Sequence, residues 1–122
     1  MPYAYRKSER IRKNSEFIAT MKGKRLSVDG LSLFYTRNEI GNFRVGVSVS
    51  KKLANAVGRN RLRRQIRVCI SRALKGHTRG YDLVFVARQG IVTADHERIL
   101  KAVSSLLQKT ALRDEKPKGA ER

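Results

Sequence analysis

The chain has few of the residues and motifs that are typical of several common classes of protein. Its 122 residues include ten acidic residues against 28 lysines and arginines, one cysteine, two prolines and no tryptophan. A single cysteine cannot form an internal disulfide, and neither a glycine-rich phosphate loop nor a nucleophile elbow is present. No apolar run approaches the roughly 18 residues that cross a bilayer. No apolar segment follows the first cations, so we expect no secretory signal and a cytoplasmic protein.

The residues that carry acid–base or metal chemistry are also sparse. His77 and His96 lie far apart in the sequence without an evident partner, and we interpret both as solvated surface residues. Asp95 and Glu97 fit the first turn of a helix, where the dipole favours anions, better than a metal site. Cys69 falls on an apolar stripe and is expected to be buried. The sequence therefore predicts no catalytic residue and no metal site in this chain.

Positive charge is what the sequence has in excess. The net charge is +18, and between residues 40 and 81 there are eleven lysines or arginines and no acid. Within this region apolar residues recur at helical spacing, namely Leu62, Ile66, Cys69, Ile70 and Ala73. The rest of that helix is covered by Arg61, Arg63, Arg64, Arg67 and Arg72. Like charges at this spacing destabilise a helix, which favours a polyanionic partner such as nucleic acid.

The order of elements predicts one domain of the α+β class. We expect a basic arm over residues 1–13, a domain over 14–112 and a charged tail over 113–122. Within the domain we predict a helix at 16–22 capped by Asn14 or Ser15, then strands at 31–37 and 44–50. Turn residues at 37–42 predict that these two strands form a hairpin. The basic helix, capped by Asn55, ends near residue 76, and a strand at 82–88 and a helix at 93–112 follow.

The strand at residues 44–50 has one valine face and one face with almost no side-chain volume, formed by Gly46, Ser48 and Ser50. Such a thin face is either covered closely by a helix or left open as a shallow groove, and the sequence leaves both open. We predict that Tyr35 and Arg37 line the same side. Aromatic rings beside cations are typical of sites for single-stranded nucleic acid.

Residues 48–67, SVSKKLANAVGRNRLRRQIR, resemble the RNR signature of the protein subunit of bacterial ribonuclease P. The similarity continues in order from about residue 6 to residue 109, through RVGVSVSKK and DLVFVAR. The resemblance implies an α-β-β-β-α-β-α sandwich with a four-stranded sheet and a basic RNR helix. It also implies a left-handed crossover between the third and fourth strands, against the usual preference.

The resemblance implies that the chain is the protein component of a ribonucleoprotein endoribonuclease. In that family a large RNA subunit, with magnesium ions, hydrolyses one phosphodiester bond and so removes the 5′ leader of precursor tRNA. The protein alone would bind no cofactor and would supply no catalytic residue. Its partners would be the ribonuclease P RNA and the precursor tRNA leader, with no membrane. The alternative is a ribosome-associated RNA-binding or RNA-chaperone protein; a self-sufficient ribonuclease or DNA-binding regulator lacks the expected motifs.

The resemblance also implies which residues contact RNA. Those matching the RNR motif should meet the catalytic RNA, and they are Arg59, Asn60, Arg61, Arg63, Arg64 and Arg67. Those matching the family's leader cleft are Phe17, Met21, Tyr35, Ser48, Ser50, Lys51, Lys52, Asn55 and Ala56. Position 21 is often aromatic in the family, and a methionine there gives apolar contact but stacks on a base less well.

Overall fold

A computed structural model of the chain describes residue 11 and residues 14–38, 43–73 and 80–109. The elements within these ranges are helices and strands in the order that the resemblance implied. They are α1 (Asn14–Met21), β1 (Lys24–Val28), β2 (Leu31–Arg37), β3 (Arg44–Ser48), α2 (Ala56–Ala73), β4 (Tyr81–Ala87) and α3 (His96–Gln108). A short 3-10 turn at Gln89–Ile91 precedes α3. No helix in these ranges is long and apolar enough to cross a membrane.

The four strands form one sheet in the order β1-β2-β4-β3, which corrects the predicted hairpin. β2 pairs with β1 and β4, whereas β3, among the described strands, pairs with β4 alone and in parallel. The hairpin instead joins β1 to β2 through Asp29 and Gly30, whose φ angles are +51° and +82°. Asp-Gly suits the positive angles of a two-residue hairpin turn. The predicted turn residues 39–42 lie outside the described residues.

α2 connects the parallel strands β3 and β4, so these three elements form a crossover unit. The left-handed crossover implied by the family stays a prediction.

One face of the sheet packs against α2 and α3 and contains most of the core. The predicted apolar stripe of α2 is confirmed, because Leu62, Ile66 and Ile70 are all 4% exposed or less. On α3, Ile99 and Val103 are fully buried in the same core. The sheet contributes alternate residues to this core: Leu31, Leu33, Tyr35, Val45, Val47, Leu83, Phe85 and Ala87. Because side chains alternate along a strand, the residues between these core positions point to the opposite face of the sheet.

α3 begins later than the predicted residue 93, because Asp95 caps it. The Asp95 carboxylate accepts a hydrogen bond from the backbone N–H of Arg98 at 2.9 Å. Only Glu97 lies in the first turn itself. Residues 110–112, which the prediction assigned to this helix, lie outside the described residues.

α1 lies on the opposite face of the sheet and is tied to it by charge. The Arg44 guanidinium donates from Nη1 to Glu16 of α1 at 2.9 Å and from Nη2 to Asp82 of β4 at 2.7 Å. The hydrogen bonds from Arg44 to Asp82 raise the pKa of Arg44 further above its usual range. Arg44 thus links the helix to two neighbouring strands.

Within the predicted basic arm, the one described residue is bound to the sheet. Ile11 is buried, and its backbone N–H donates to the Val45 carbonyl at 2.9 Å. The rest of residues 1–13 lie outside the described residues, as does the predicted tail at 113–122.

Candidate nucleic-acid interface

The N-terminus of α2 is a capped helix end surrounded by cations. Asn55 is its cap, as predicted: its side-chain oxygen accepts a hydrogen bond from the Gly58 N–H at 2.9 Å. No acidic residue lies in the first turn. The positive end of the helix dipole is therefore not neutralised from within the helix, which suits a phosphate.

The turn before α2 presents two lysines to solvent. The Ser50 hydroxyl accepts from the Lys52 N–H at 3.1 Å, and the Ser50 carbonyl accepts from the Leu53 N–H at 3.1 Å. These bonds order the turn while Lys51 and Lys52 remain exposed. The lysines therefore lie between the end of β3 and the start of α2.

The polar residues of the RNR motif lie outside the apolar stripe of α2. Asn60, Arg61 and Arg64 are exposed, whereas Arg59, Arg63 and Arg67 are partly buried. Two of these arginines are oriented by hydrogen bonds within the helix region. Arg63 donates to the Asn60 side chain at 2.7 Å, and Arg59 donates to the Ala54 carbonyl at 3.1 Å. The helix thus presents several cations without disturbing the core.

Arg61 also borders a recess of about 480 Å³ between α2 and the segment that leads into α3. Gln65 lies on the α2 side of this recess, and Asp95 and His96 lie on the other. Arg61 of α2 therefore faces the N-terminus of α3 across this recess.

On the other face of the sheet, the Phe17 ring of α1 lies directly over Gly46. A Cβ atom on Gly46 would come within 2.6 Å of the ring's Cζ. The two alternatives for the thin face therefore both apply, at different positions. α1 covers Gly46 closely, whereas Ser48 is half-buried and Ser50 is exposed.

Met21 lies one helical turn after Phe17 and is 41% exposed. Ala56, the last residue of the predicted cleft, is also exposed, at the first position of α2. Neither side chain is needed to fill the core.

The prediction that Tyr35 shares the face of Gly46 is wrong. Tyr35 pairs with Leu83, which pairs with Val45, so all three belong to the α2–α3 face. Tyr35 is 7% exposed and packs edge-to-face on Tyr81, with ring centroids 6.5 Å apart. Arg37 points to the same side, with its guanidinium 5.6 Å from the Tyr81 ring. The sheet therefore separates Tyr35 from Phe17.

The aromatic residue that shares the Phe17 side of the sheet is Phe34, which the sequence reasoning missed. The pairing register aligns Gly46, Val84, Phe34 and Arg25 across all four strands. Phe34 is partly exposed, and the Arg25 guanidinium lies 5.8 Å from the centroid of its ring. The alternation of β2, counted from the Asp-Gly turn, was the signal that would have found it.

The described residues contain no group of three or more His, Cys, Asp or Glu side chains able to hold a metal ion. Cys69 is fully buried, and desolvation raises the pKa of its thiol to about 11. His96 is only partly exposed, with Nδ1 3.9 Å from the Cys69 Sγ, which corrects the expectation of a solvated residue. His77 lies outside the described residues.

Comparison with known proteins identifies the family to which the chain belongs. The family model described as Ribonuclease P matches residues 5–111. The chain belongs to the ribonuclease P protein family. A ribonuclease P protein component of Clostridium botulinum is 40% identical over 108 residues, covering 87% of this chain and 97% of that relative. One from Bacillus cereus is 32% identical over 110 residues, covering 88% and 96%.

Solved ribonuclease P proteins have the same fold. The Staphylococcus aureus protein superposes with a TM-score of 0.75 at 35% identity, covering 84% of this chain and 94% of that one. The Thermotoga maritima protein gives a TM-score of 0.75 at 25% identity, covering 84% and 97%. The mixed fold with a four-stranded sheet and three helices therefore matches these solved ribonuclease P proteins.

Proposed function

We propose that this ribonuclease P protein binds the catalytic RNA of the enzyme through α2 and holds the 5′ leader of precursor tRNA on the α1 side of the sheet. The observation that carries the proposal is the junction between β3 and α2. There the capped, acid-free helix N-terminus, Lys51 and Lys52 lie beside the end of the strand on which Phe17 packs. One junction thus borders both RNA surfaces.

The two surfaces would act differently. The exposed arginines of α2 neutralise phosphates, and each neutralised phosphate releases counterions and adds salt-dependent affinity. Phe17 and Met21 offer apolar surface for unpaired bases, which have no partner strand to stack with. The catalytic RNA and the leader are therefore the proposed partners of α2 and α1, respectively.

The hydrolysis itself is assigned to the RNA subunit together with magnesium. The donor set of the described residues does not fit a resident metal ion, because no three potential ligands converge. The protein would contribute by lowering phosphate repulsion and by holding the leader in place. A ribosome-associated or RNA-chaperone role remains the alternative, but no observation favours it. We place the protein in the cytoplasm with its RNA.

Reconstitution tests the proposal. RNA-free protein should not cleave precursor tRNA, whereas catalytic RNA with protein should cleave it at lower magnesium than the RNA alone. Magnesium-dependent cleavage by the protein alone would contradict the assignment of catalysis to RNA. Assembly with ribosomal particles, without any effect on cleavage, would favour the alternative.

A further inference from the structure

The recess between α2 and the segment that leads into α3 has an apolar floor. Its volume of about 480 Å³ lies within the range of about 300–1,000 Å³ that is usual for small-molecule sites. The residues of the floor are mostly small, namely Ala54, Gly58, Leu62, Val92 and Ala94. This floor offers a planar ring an apolar surface on which to lie.

The rim of the recess combines an acid with neutral and cationic donors. Arg61 and Gln65 border it from α2, and Thr93, Asp95 and His96 border it from the other side. Arg61 is also one of the exposed arginines of the RNR motif. An RNA strand bound along α2 would therefore pass the mouth of the recess, where it would meet polar groups that do not belong to that motif.

The carboxylate of Asp95 has acceptor capacity beyond its role as the cap of α3. The cap uses one hydrogen bond, from the Arg98 N–H at 2.9 Å, whereas two carboxylate oxygens can accept about four. The Arg98 guanidinium itself is held by Asp29, at 2.7 and 2.8 Å. Capping requires no charge, because Ser and Asn cap helices about as well as Asp. What the negative charge adds is an acceptor for donor groups within the recess.

The chemistry of the rim distinguishes among the bases of RNA. A carboxylate beside an RNA-binding helix repels phosphates, but it attracts the N–H groups on the edge of an unpaired base. Among the four bases, guanine alone presents two adjacent donors, N1–H and the N2 amino group, which match the two oxygens of one carboxylate. Gln65, on the opposite side of the recess, offers an amide donor for a carbonyl oxygen such as O6.

We propose that the recess takes an unpaired guanine of the catalytic RNA. The ring lies on the apolar floor, the edge with N1 and N2 donates to Asp95, and the adjacent phosphate binds Arg61. This inference rests on the proposed binding of that RNA by α2 and extends it to a base-specific contact. It makes Asp95, at the start of α3, a residue that determines specificity for the RNA.

The experiment uses the full chain bound to the catalytic RNA and kethoxal, a reagent that adds to N1 and N2 of unpaired guanines. The variants are Asp95→Asn, which keeps a helix cap but removes the carboxylate, and Gln65→Leu, which removes only the amide. The matched control is Glu97→Gln, because Glu97 is an exposed acid in the first turn of the same helix and does not border the recess. Thermal melts of each free protein report folding.

The wild-type protein should protect one guanine of the catalytic RNA from kethoxal, and both recess variants should lose that protection. Asp95→Asn should weaken affinity on the order of tenfold, although it removes a negative charge. Glu97→Gln removes the same charge and should bind the RNA at least as tightly as the wild type. Inosine in place of the protected guanine lacks the N2 amino group, so it should weaken binding of the wild type and not of Asp95→Asn.

The sign of the Asp95→Asn effect is decisive. If this variant binds the RNA more tightly, as Glu97→Gln does, the carboxylate only repels phosphate and the inference fails. The inference also fails if the protection that depends on Asp95 falls on precursor tRNA, or on no guanine at all. In these cases Arg64→Ala, outside the recess, should still weaken binding of the catalytic RNA. If Arg64→Ala has no effect either, the proposed RNA surface on α2 fails, and this inference fails with it.

Discussion

The ring of Phe17 rests on the bare backbone of Gly46, so closely that a methyl group at residue 46 would lie 2.6 Å from the ring. This contact sets how near α1 approaches the sheet. It also explains why the thin face of β3 is partly closed and partly open. The absence of a side chain at one position therefore determines the shape of the proposed leader site.

Gly46→Ala should displace Phe17 and loosen α1. We expect a loss of about 1–3 kcal/mol in the free energy of unfolding, because the added methyl overpacks the contact. The holoenzyme should also discriminate less between precursor and mature tRNA. Gly90→Ala is the matched control, since its new Cβ would meet its nearest neighbour at 3.6 Å, an ordinary contact. Equal melting temperatures for the two variants would refute the tight contact.

Arg61→Ala and Arg64→Ala should each weaken binding of the catalytic RNA and lower the slope of log affinity against log salt by about one. Their melting temperatures should change little, because both residues are exposed. Ile66→Ala, on the buried side of the same helix, should instead cost about 2–5 kcal/mol of stability. Lys101→Ala controls for the loss of any positive charge. A salt slope unchanged in both arginine variants would place the RNA site elsewhere.

Met21→Phe should strengthen binding of precursor tRNA relative to mature tRNA, because it adds a stacking ring one turn from Phe17. Overpacking is not expected, since Met21 is 41% exposed. Ile18→Phe is the control: Ile18 is 49% exposed on the same helix but is adjacent to Phe17 in sequence, not one turn away. A similar gain from both substitutions would indicate nonspecific apolar binding, and no gain from Met21→Phe would move the cleft away from residue 21.

Tyr35→Ala should act on stability, not on the leader. The side chain is buried on the α2–α3 face, so its removal should cost about 3–5 kcal/mol, as for other large aromatic residues. At a temperature where the variant is folded, its ratio of precursor to mature tRNA affinity should match the wild type. A lowered ratio in the folded variant would restore Tyr35 to the leader site, as the family resemblance implies.

Cys69 should resist thiol reagents in the native protein and react on unfolding. Burial raises the pKa of its thiol from 9.0 to about 11, so the folded state favours the protonated form. The contribution of the buried, protonated thiol to the free energy of unfolding is complete below about pH 9 and is lost as the pH rises towards about 11. The accessibility of the Cys69 thiol is measured by its rate of labelling with iodoacetamide. The reference is the rate for an exposed cysteine, Ser50→Cys in a Cys69→Ala background. Equally fast labelling of both would show that Cys69 is accessible.

The helices were predictable because their signals are local. The stripe from Leu62 to Ile70 has the helical period, and the Asn55 cap and the like-charged surface follow from nearby residues. The pairing of the strands was not predictable in this way, because β3 pairs with β4, which follows α2 in the sequence. That error placed Tyr35 on the wrong side of the sheet. The Asp29-Gly30 turn could have been recognised in the sequence, and it would have predicted β1. The alternation of β2 counted from this turn would then have placed Phe34 on the Phe17 side of the sheet.

The position of β4 in the sheet has a consequence for how the chain folds during translation. β4 lies between β2 and β3, yet it is the last of the four strands to leave the ribosome. Until then β3 lacks the described strand with which it pairs, and α2 emerges before β4 completes the sheet that buries the apolar stripe of α2. Repulsion among the cations of α2 opposes compaction at this stage. An RNA that binds native α2 therefore adds to the stability of the folded chain by mass action.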